Sequence, residues 1–226
     1  MHSPVLWLLV GYLCGSLPTA YLAGKLFAGI DIRDYGSGNV GGSNVLRHVS
    51  RSAFVLVAAV DIGKAVLSVW LALSLGGSPT TAASAGVGAV AGHCWSVFLS
   101  FSGGRGMASA LGSLLPVFPI GCAWIVAIHL LGGALGLAAP ADLLAVATLP
   151  VVANFVTGSQ PLVWQCLGLL LIVVTKRLHA NRLPLPDEPG ERRAVLWRRL
   201  IYDRDVPRDQ PWAERVPTSR ESRPSS

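Results

Sequence analysis

Between Gly36 and Arg47 the chain reads Gly-Ser-Gly-Asn-Val-Gly-Gly-Ser-Asn-Val-Leu-Arg. Glycines let a backbone turn so that successive N–H groups converge on one anion. Ser37, Asn39, Ser43 and Asn44 add short hydroxyl and amide side chains around Gly38, and Arg47 closes the loop with a guanidinium that can fork onto two phosphate oxygens. This is the chemistry of an anion cradle. It is not a Walker loop, because no Gly-Lys-Ser/Thr ending follows. A plain flexible connector is the competing reading, but a linker needs neither this concentration of small polar side chains nor a terminal cation. A second loop, Ser102-Gly103-Gly104-Arg105-Gly106, repeats the theme. An apolar run starts directly after it, and the free N–H groups at a helix start favour an anion. A topology anchor for that run is the competing reading of Arg105.

Three more places carry groups able to do chemistry. Asp61 and Lys64 lie inside an apolar segment, where ionisable side chains are costly and face a polar interior. Their spacing fits an i,i+3 ion pair as well as a pocket wall. His93 sits before Cys94 and Trp95, either as a helix contact or as a participant. Lys176-Arg177-Leu178-His179-Ala180-Asn181-Arg182 ends the last apolar run with an imidazole and an amide.

The elements that must position these groups are membrane spans. Of 226 residues, 52% are hydrophobic and 13% charged, against about 25% charged in soluble domains; mean hydropathy is +0.54. Up to Thr175 there are six basic and four acidic residues, and from Lys176 onward twelve and eight. The chain therefore divides into a membrane domain, residues 1–182, and a basic polar tail, residues 183–226. Spans are expected over residues 4–27, 53–75, 82–101, 143–157 and 162–175. The apolar run 107–139 adds two more, joined near Pro116 and Pro119. That run would measure about 50 Å as one helix, against a hydrocarbon core of about 30 Å, and proline ends or kinks helices. Arg33, Arg47, Arg51, Arg105, Lys176 and Arg177 fall on one side only if the count is seven. By the positive-inside bias that side is the cytoplasm and the N-terminus lies outside. The expectation is an all-α integral membrane protein of seven transmembrane helices with glycine-rich cytoplasmic loops and a cytoplasmic C-terminus.

The net charge of +6 does not point to nucleic acid, since no basic face with interleaved aromatics precedes the tail; it fits charge bias beside spans and attraction to anionic lipid. Arg192–Tyr202 has the pattern of a short basic amphipathic helix on the inner leaflet, and disorder is expected from Val206. The tail either lacks a fold of its own or regulates. Gly11 and Gly15, Gly88 and Gly92, and Gly132 and Gly136 have the small-residue spacing of close-packed membrane helices, expected within one chain, as a monomer. Cys14, Cys94, Cys122 and Cys166 show no metal-site spacing and are expected as buried small hydrophobes. No metal and no cofactor are expected, and the first span reads as retained rather than cleaved.

Three ordered blocks resemble the bacterial acyl-phosphate-dependent glycerol-3-phosphate acyltransferase family. They are Gly15-Ser16-Leu17-Pro18 with Asp31-Ile32-Arg33 and the Gly36–Arg47 loop; Asp61 with Lys64; and Gly92-His93 through Phe101-Ser102-Gly103-Gly104-Arg105-Gly106. The resemblance runs from about Gly15 to Arg182. It implies a seven-helix enzyme of the bacterial inner membrane, its site facing the cytoplasm, that moves an acyl group from acyl phosphate to the 1-hydroxyl of glycerol 3-phosphate and forms lysophosphatidic acid. Substrate-contacting positions carry over to Ser37, Arg47, Arg105 and Asn181. Arg105 stands where the family has lysine and Ser43 where it has threonine. The family's last histidine is three residues before the asparagine, whereas His179 is two before Asn181, a displacement of about 100° on a helix. Arg182-Leu183-Pro184 replaces the family's Gly-Thr-Glu ending.

Taken together, the expected catalytic groups are His179, Asn181 and Arg105. The expected phosphate-binding groups are Ser37, Gly38, Asn39, Ser43, Asn44, Arg47, Gly103, Gly104 and Arg105, with Lys64 and His93 beside them. Two other functions share these features: a small anion transporter or channel, which needs polar residues along several spans to the outer face, and a divergent paralogue with altered activity.

Overall fold

A computed structural model of the chain describes residues 3–182, apart from the side chain of Arg182, and residues 184–210. The described part is a helical bundle. Its elements are α1 (Pro4–Gly15), α2 (Thr19–Ala28), α3 (Gly42–His48), α4 (Arg51–Ser74), α5 (Pro79–Cys94), α6 (Met107–Leu114), α7 (Pro119–Ala134), α8 (Ala138–Thr157), α9 (Gln160–His179) and α10 (Pro189–Tyr202). Four segments are long and apolar enough to cross a membrane: Pro4–Ala28, Arg51–Ser74, Ala138–Thr157 and Gln160–His179, with Pro119–Ala134 as a shorter apolar helix. Large apolar side chains point outward along them, Leu26 at 77% and Phe155 at 85% exposure. This is an outer surface suited to lipid rather than water.

The first apolar segment is broken where proline dictates. Pro18 has no N–H to continue the helix, so α1 stops at Gly15 and α2 resumes at Thr19. The break leaves backbone carbonyls without helical partners. Ser96 Oγ donates to Ser16 O at 2.5 Å and Lys64 Nζ to Leu17 O at 3.0 Å. The Gly15–Pro18 sequence is therefore a hinge whose carbonyls receive two other segments.

α1 and α5 lie backbone to backbone. A Cβ on Gly11 or Gly15 would fall 2.1 or 2.0 Å from the carbonyl oxygens of Ala85 and Ala89, and one on Gly88 or Gly92 equally close to those of Leu8 and Tyr12. Glycine is required on both partners of this seam, which lies within one chain. Of the third expected pair, Gly132 packs on Ala141, but Gly136 is a turn residue at φ +68° with open space around it. The core between α5 and α9 gathers around Phe118, Leu149 and Leu169.

Two expected spans take another form. α5 ends at Cys94, seven residues before the expected Phe101, and the chain folds back. Ser96 N donates to Ser102 O, Phe101 N to Ser96 O and Gly104 N to His93 O. Ser100 and Phe101 take left-handed backbone angles in this turn. Irregular backbone beside membrane helices is tolerated where protein satisfies its polar groups, and these bonds do so. α6 has only eight residues, about 12 Å of helix at 1.5 Å per residue. The glycine-rich loop lies directly ahead of it, and Phe118-Pro119 then starts α7.

In the C-terminal segment α10 begins at Pro189, with Glu188 as its cap; backbone N–H groups of Glu191 and Gly190 hold the Glu188 carboxyl below its usual range. Val195 and Arg199 are buried against the bundle, while Trp197 is 62% exposed. Residues 207–210 form a turn closed by Gln210 N on Pro207 O. The remainder of the stretch expected to be disordered lies outside the described residues.

Candidate active site

The first glycine-rich loop is held open by one amide. Asn44 is buried, and its Nδ2 lies 3.1, 2.9 and 3.1 Å from the carbonyl oxygens of Ile32, Tyr35 and Asn39. Gly36 and Gly38 take positive φ, which only glycine adopts without strain. Ser37 Oγ accepts from Asn39 N at 3.3 Å. Upstream, Asp31 caps the turn Ile32–Asp34 and pairs with Arg33 at 2.6 Å. Burial pushes the Asp31 carboxyl up, but the Arg33 hydrogen bonds and the Arg33 and Lys25 charges outweigh it and hold it below its usual range.

The second loop lies against the first. Val40 N donates to Gly103 O at 3.3 Å. A Cβ at Gly104 would come within 2.1 Å of His93 Nε2 and 3.0 Å of Val40 O, and one at Gly103 within 2.3 Å of His93 O. These glycines are where backbone must meet backbone and an imidazole. Asn181, in the left-handed region at φ 53°, closes the assembly. Its Oδ1 accepts from Lys176 Nζ at 2.7 Å and Gly103 N at 3.4 Å, and its Nδ2 donates to Gly38 O at 3.2 Å and Gly103 O at 3.1 Å. Asn181 thus clamps both loops to the end of α9. Lys176 is buried beneath, bonded also to Cys94 O and lying 5.4 Å from the Trp95 ring.

Asp61, Lys64 and His93 form one polar cluster, so the ion pair and the pocket wall are both realised. Asp61 Oδ1 lies 2.8 Å from Lys64 Nζ, 3.3 Å from His93 Nδ1 and 2.6 Å from the hydroxyl of Thr19, which donates to it. Lys64 Nζ and His93 Nδ1 are 3.2 Å apart. The imidazole stands between this cluster and Gly104.

Asp61 and His93 open onto a cavity of about 400 Å³, whose wall also includes Asn39, Gly41, Ser43, Arg105, His129, Asp142 and Asp203. Arg105 Nε lies 2.9 Å from Asp203 Oδ1, and its Nη1 donates to Lys176 O at 3.2 Å. About 23% of the Asp203 side chain is exposed, although Oδ1 itself is enclosed. Burial lifts the Asp203 carboxyl above its usual range against the pull of Arg105 and Arg177. His129 and Asp142, both in the cavity wall, lie 2.7 Å apart.

The expected site residues therefore separate. Asn39, Ser43, His93 and Arg105 line the cavity. Gly38, Asn44, Gly103, Gly104, Lys64 and Asn181 frame it, and Ser37 pins the turn behind it. Arg47 is exposed on α3, and its side chain makes no hydrogen bond or ion pair among the described residues. His179 is not among the residues of the cavity wall, and its Nδ1 accepts from Trp95 Nε1 at 3.4 Å. Thr19, Lys176, His129 and Asp203 escape sequence reasoning. Lys176 reads there as a topology charge, and the others carry no local pattern. Of the cysteines, Cys94, Cys122 and Cys166 are buried and Cys14 half-buried.

A sequence profile described as glycerol-3-phosphate acyltransferase matches residues 5–184. The chain is similar to glycerol-3-phosphate acyltransferase 5 of Dehalococcoides mccartyi, 33% identical over 98% of this chain and 97% of that one. It is also similar to glycerol-3-phosphate acyltransferase 4 of D. mccartyi strain CBDB1, 35% identical over 94% and 95%. A crystal structure of PlsY (YgiH), an integral membrane glycerol 3-phosphate acyltransferase in its glycerol 3-phosphate form, superposes with a TM-score of 0.70 at 26% identity, covering 80% of this chain and 90% of that one. Its lysophosphatidic acid form matches with a TM-score of 0.69.

Proposed function

We propose, for a chain that belongs to the glycerol-3-phosphate acyltransferase family, that acyl phosphate is the donor and that the cavity beside Arg105 is where the acyl group moves. The protein is an integral membrane glycerol-3-phosphate acyltransferase that forms lysophosphatidic acid. Its finer arrangement is seven passages, α6 and its preceding loop serving as the fourth. The N-terminus lies outside the bacterial inner membrane and the site faces the cytoplasm. The observation that carries the reading is the convergence of both glycine-rich loops and the α9 end on one polar cavity at the end of the bundle that holds the chain's inner charges.

Acyl phosphate is already activated, so the protein need only position the reactants and stabilise charge. The glycerol hydroxyl oxygen attacks the acyl carbonyl carbon, the new ester C–O bond forms, the C–O bond to phosphate breaks, and inorganic phosphate leaves with the bonding pair. Arg105 and the N–H groups around Asn39 to Ser43 hold phosphate oxygens, and Arg47 reaches in from α3 as the second guanidinium. The orientation of His179 toward Trp95 favours a phosphate oxygen as acceptor of the hydroxyl proton, in place of that imidazole. His93, fixed between Asp61 and Gly104, shapes the wall. Asn44 and Asn181 position the loops, because their polar atoms are already engaged.

Protein purified into lipid nanodiscs is expected to make lysophosphatidic acid from glycerol 3-phosphate with acyl phosphate and not with acyl-CoA. Product formed equally from acyl-CoA would overturn the donor assignment.

A further inference from the structure

The C-terminal segment enters the active-site cavity. α10 ends at Tyr202, and Asp203 turns the chain at φ 53°. Anchors flank this turn on both sides. Arg177 Nη1 donates to Leu200 O and Ile201 O at 2.9 and 3.3 Å. Arg199 forks onto both carboxylate oxygens of Asp205 at 2.8 Å and donates to Leu178 O at 3.1 Å. Held between them, the Asp203 carboxylate lies 2.9 Å from Arg105 Nε within the wall that Asn39 and Ser43 also line.

The charges of the cavity make this placement consequential. Three carboxylates face it: Asp61, Asp142 and Asp203. Asp61 is paired with Lys64, and Asp142 is hydrogen-bonded to His129. Asp203 takes up Arg105, the guanidinium in the cavity wall. A phosphate monoester dianion entering here needs that guanidinium, and a carboxylate left beside it would repel the incoming charge.

We propose that Asp203 is a built-in anion that occupies the phosphate position at Arg105, so that a substrate phosphate binds by displacing the turn after α10. The proposal rests on the reading of the site as phosphate-binding. Asp203 is a positioning residue, since it acts through Arg105 and weakens phosphate binding without taking part in acyl transfer. The polar tail thereby belongs to the working enzyme.

Steady-state kinetics of the full-length chain in nanodiscs test this, with KM read separately for glycerol 3-phosphate and acyl phosphate. Asp203→Asn is expected to lower KM for one of them by about three- to ten-fold while kcat stays within about two-fold, the pattern of altered ground-state binding. The substrate whose KM falls is the one whose phosphate meets Arg105. Asp203→Glu restores the wild-type value, and Asp209→Asn, which removes a tail charge away from the cavity, leaves both KM values unchanged. Unchanged or raised KM values for Asp203→Asn overturn the proposal. An independent arm uses the wild type alone: saturating glycerol 3-phosphate, or inorganic phosphate, is expected to speed trypsin cleavage at Arg204 and Arg208 several-fold. Cleavage indifferent to both anions overturns the displacement. Absence of lysophosphatidic acid from the wild type with acyl phosphate would instead sink the functional reading, and the trypsin arm would still decide the fate of the turn.

Discussion

Arg47 and Arg105 close loops of closely similar composition, yet the bundle treats them differently. Arg47 lies exposed on α3 without an ion pair among the described residues, whereas Arg105 is enclosed between Asp203 and the carbonyl of Lys176. The first loop is held mainly by Asn44 from within its own segment, with one bond from Asn181 to Gly38 O. The second is held from outside, by His93, Val40 and Asn181. One cation is thus exposed and without an ion pair among the described residues, and the other already holds a carboxylate in the place proposed for a substrate phosphate. A glycine-rich loop carrying arginine can present its cation in either way, and the partners supplied by distant segments decide which.

The sharpest way to break the contrast is at the second loop's external support. Gly104→Ala puts a Cβ within 2.1 Å of His93 Nε2, with the Val40 carbonyl behind it. We expect acyltransferase activity to fall by more than about 100-fold, in line with the cost of misplacing catalytic geometry by about 1 Å. Gly133→Ala, with open space around its Cβ, should keep wild-type activity; equal losses in both would refute the argument from close approach.

The two arginines come next. Arg105→Ala leaves the enclosed Asp203 oxygen without its partner and should cost about 1–3 kcal/mol of stability as well as activity. Arg47→Ala removes no contact, so the melting temperature should hold while KM for a phosphate substrate rises about ten-fold or more, the loss of one charge-assisted contact of about 1.5–3 kcal/mol. Paired thermal-shift and kinetic measurements separate these outcomes. Full activity in Arg47→Ala would remove that residue from the site.

The smallest effect concerns the approach to the first loop. Asp31 has its carboxyl held below the usual range, by Arg33 above all. A depressed native pKa means that the stabilisation is present above the ordinary carboxylate range and is lost as pH falls through the native value. Both side chains are partly exposed, Arg33 at 29% and Asp31 at 19%, so Asp31→Asn should cost no more than about 1 kcal/mol near neutral pH. The wild-type advantage over this variant should shrink on acidification. An advantage that grows as pH drops would reverse the sign and contradict the pairing.

Much of the architecture is legible in the order of residues, because hydropathy and charge act locally. Apolar runs of sufficient length, Pro116 and Pro119 inside the longest of them, and the gathering of most arginine and lysine on one side point to the helices that can cross and the end that carries the site. The break at Pro18 is not legible in the same way, since residues 4–27 read as one span. The reach of α5 and the shortness of α6 are not legible there. Trp95–Phe101 is apolar enough to continue a span, but it folds back, its polar backbone groups taken up by Ser96 O, Ser102 O and the Tyr12 hydroxyl.

The chemistry divides along the same line. Residue type and spacing alone determined that two glycine-rich loops and an amide-bearing helix end offer anion-binding groups on one side of a membrane. Tertiary structure decided what each group does. Asn181 clamps Gly38 from 143 positions away, Thr19 donates to Asp61, His179 turns to Trp95 and Asp203 takes Arg105. A local pattern specifies which groups are available. Whether a group stays free or is already paired depends on contacts between segments that only the packed bundle brings together.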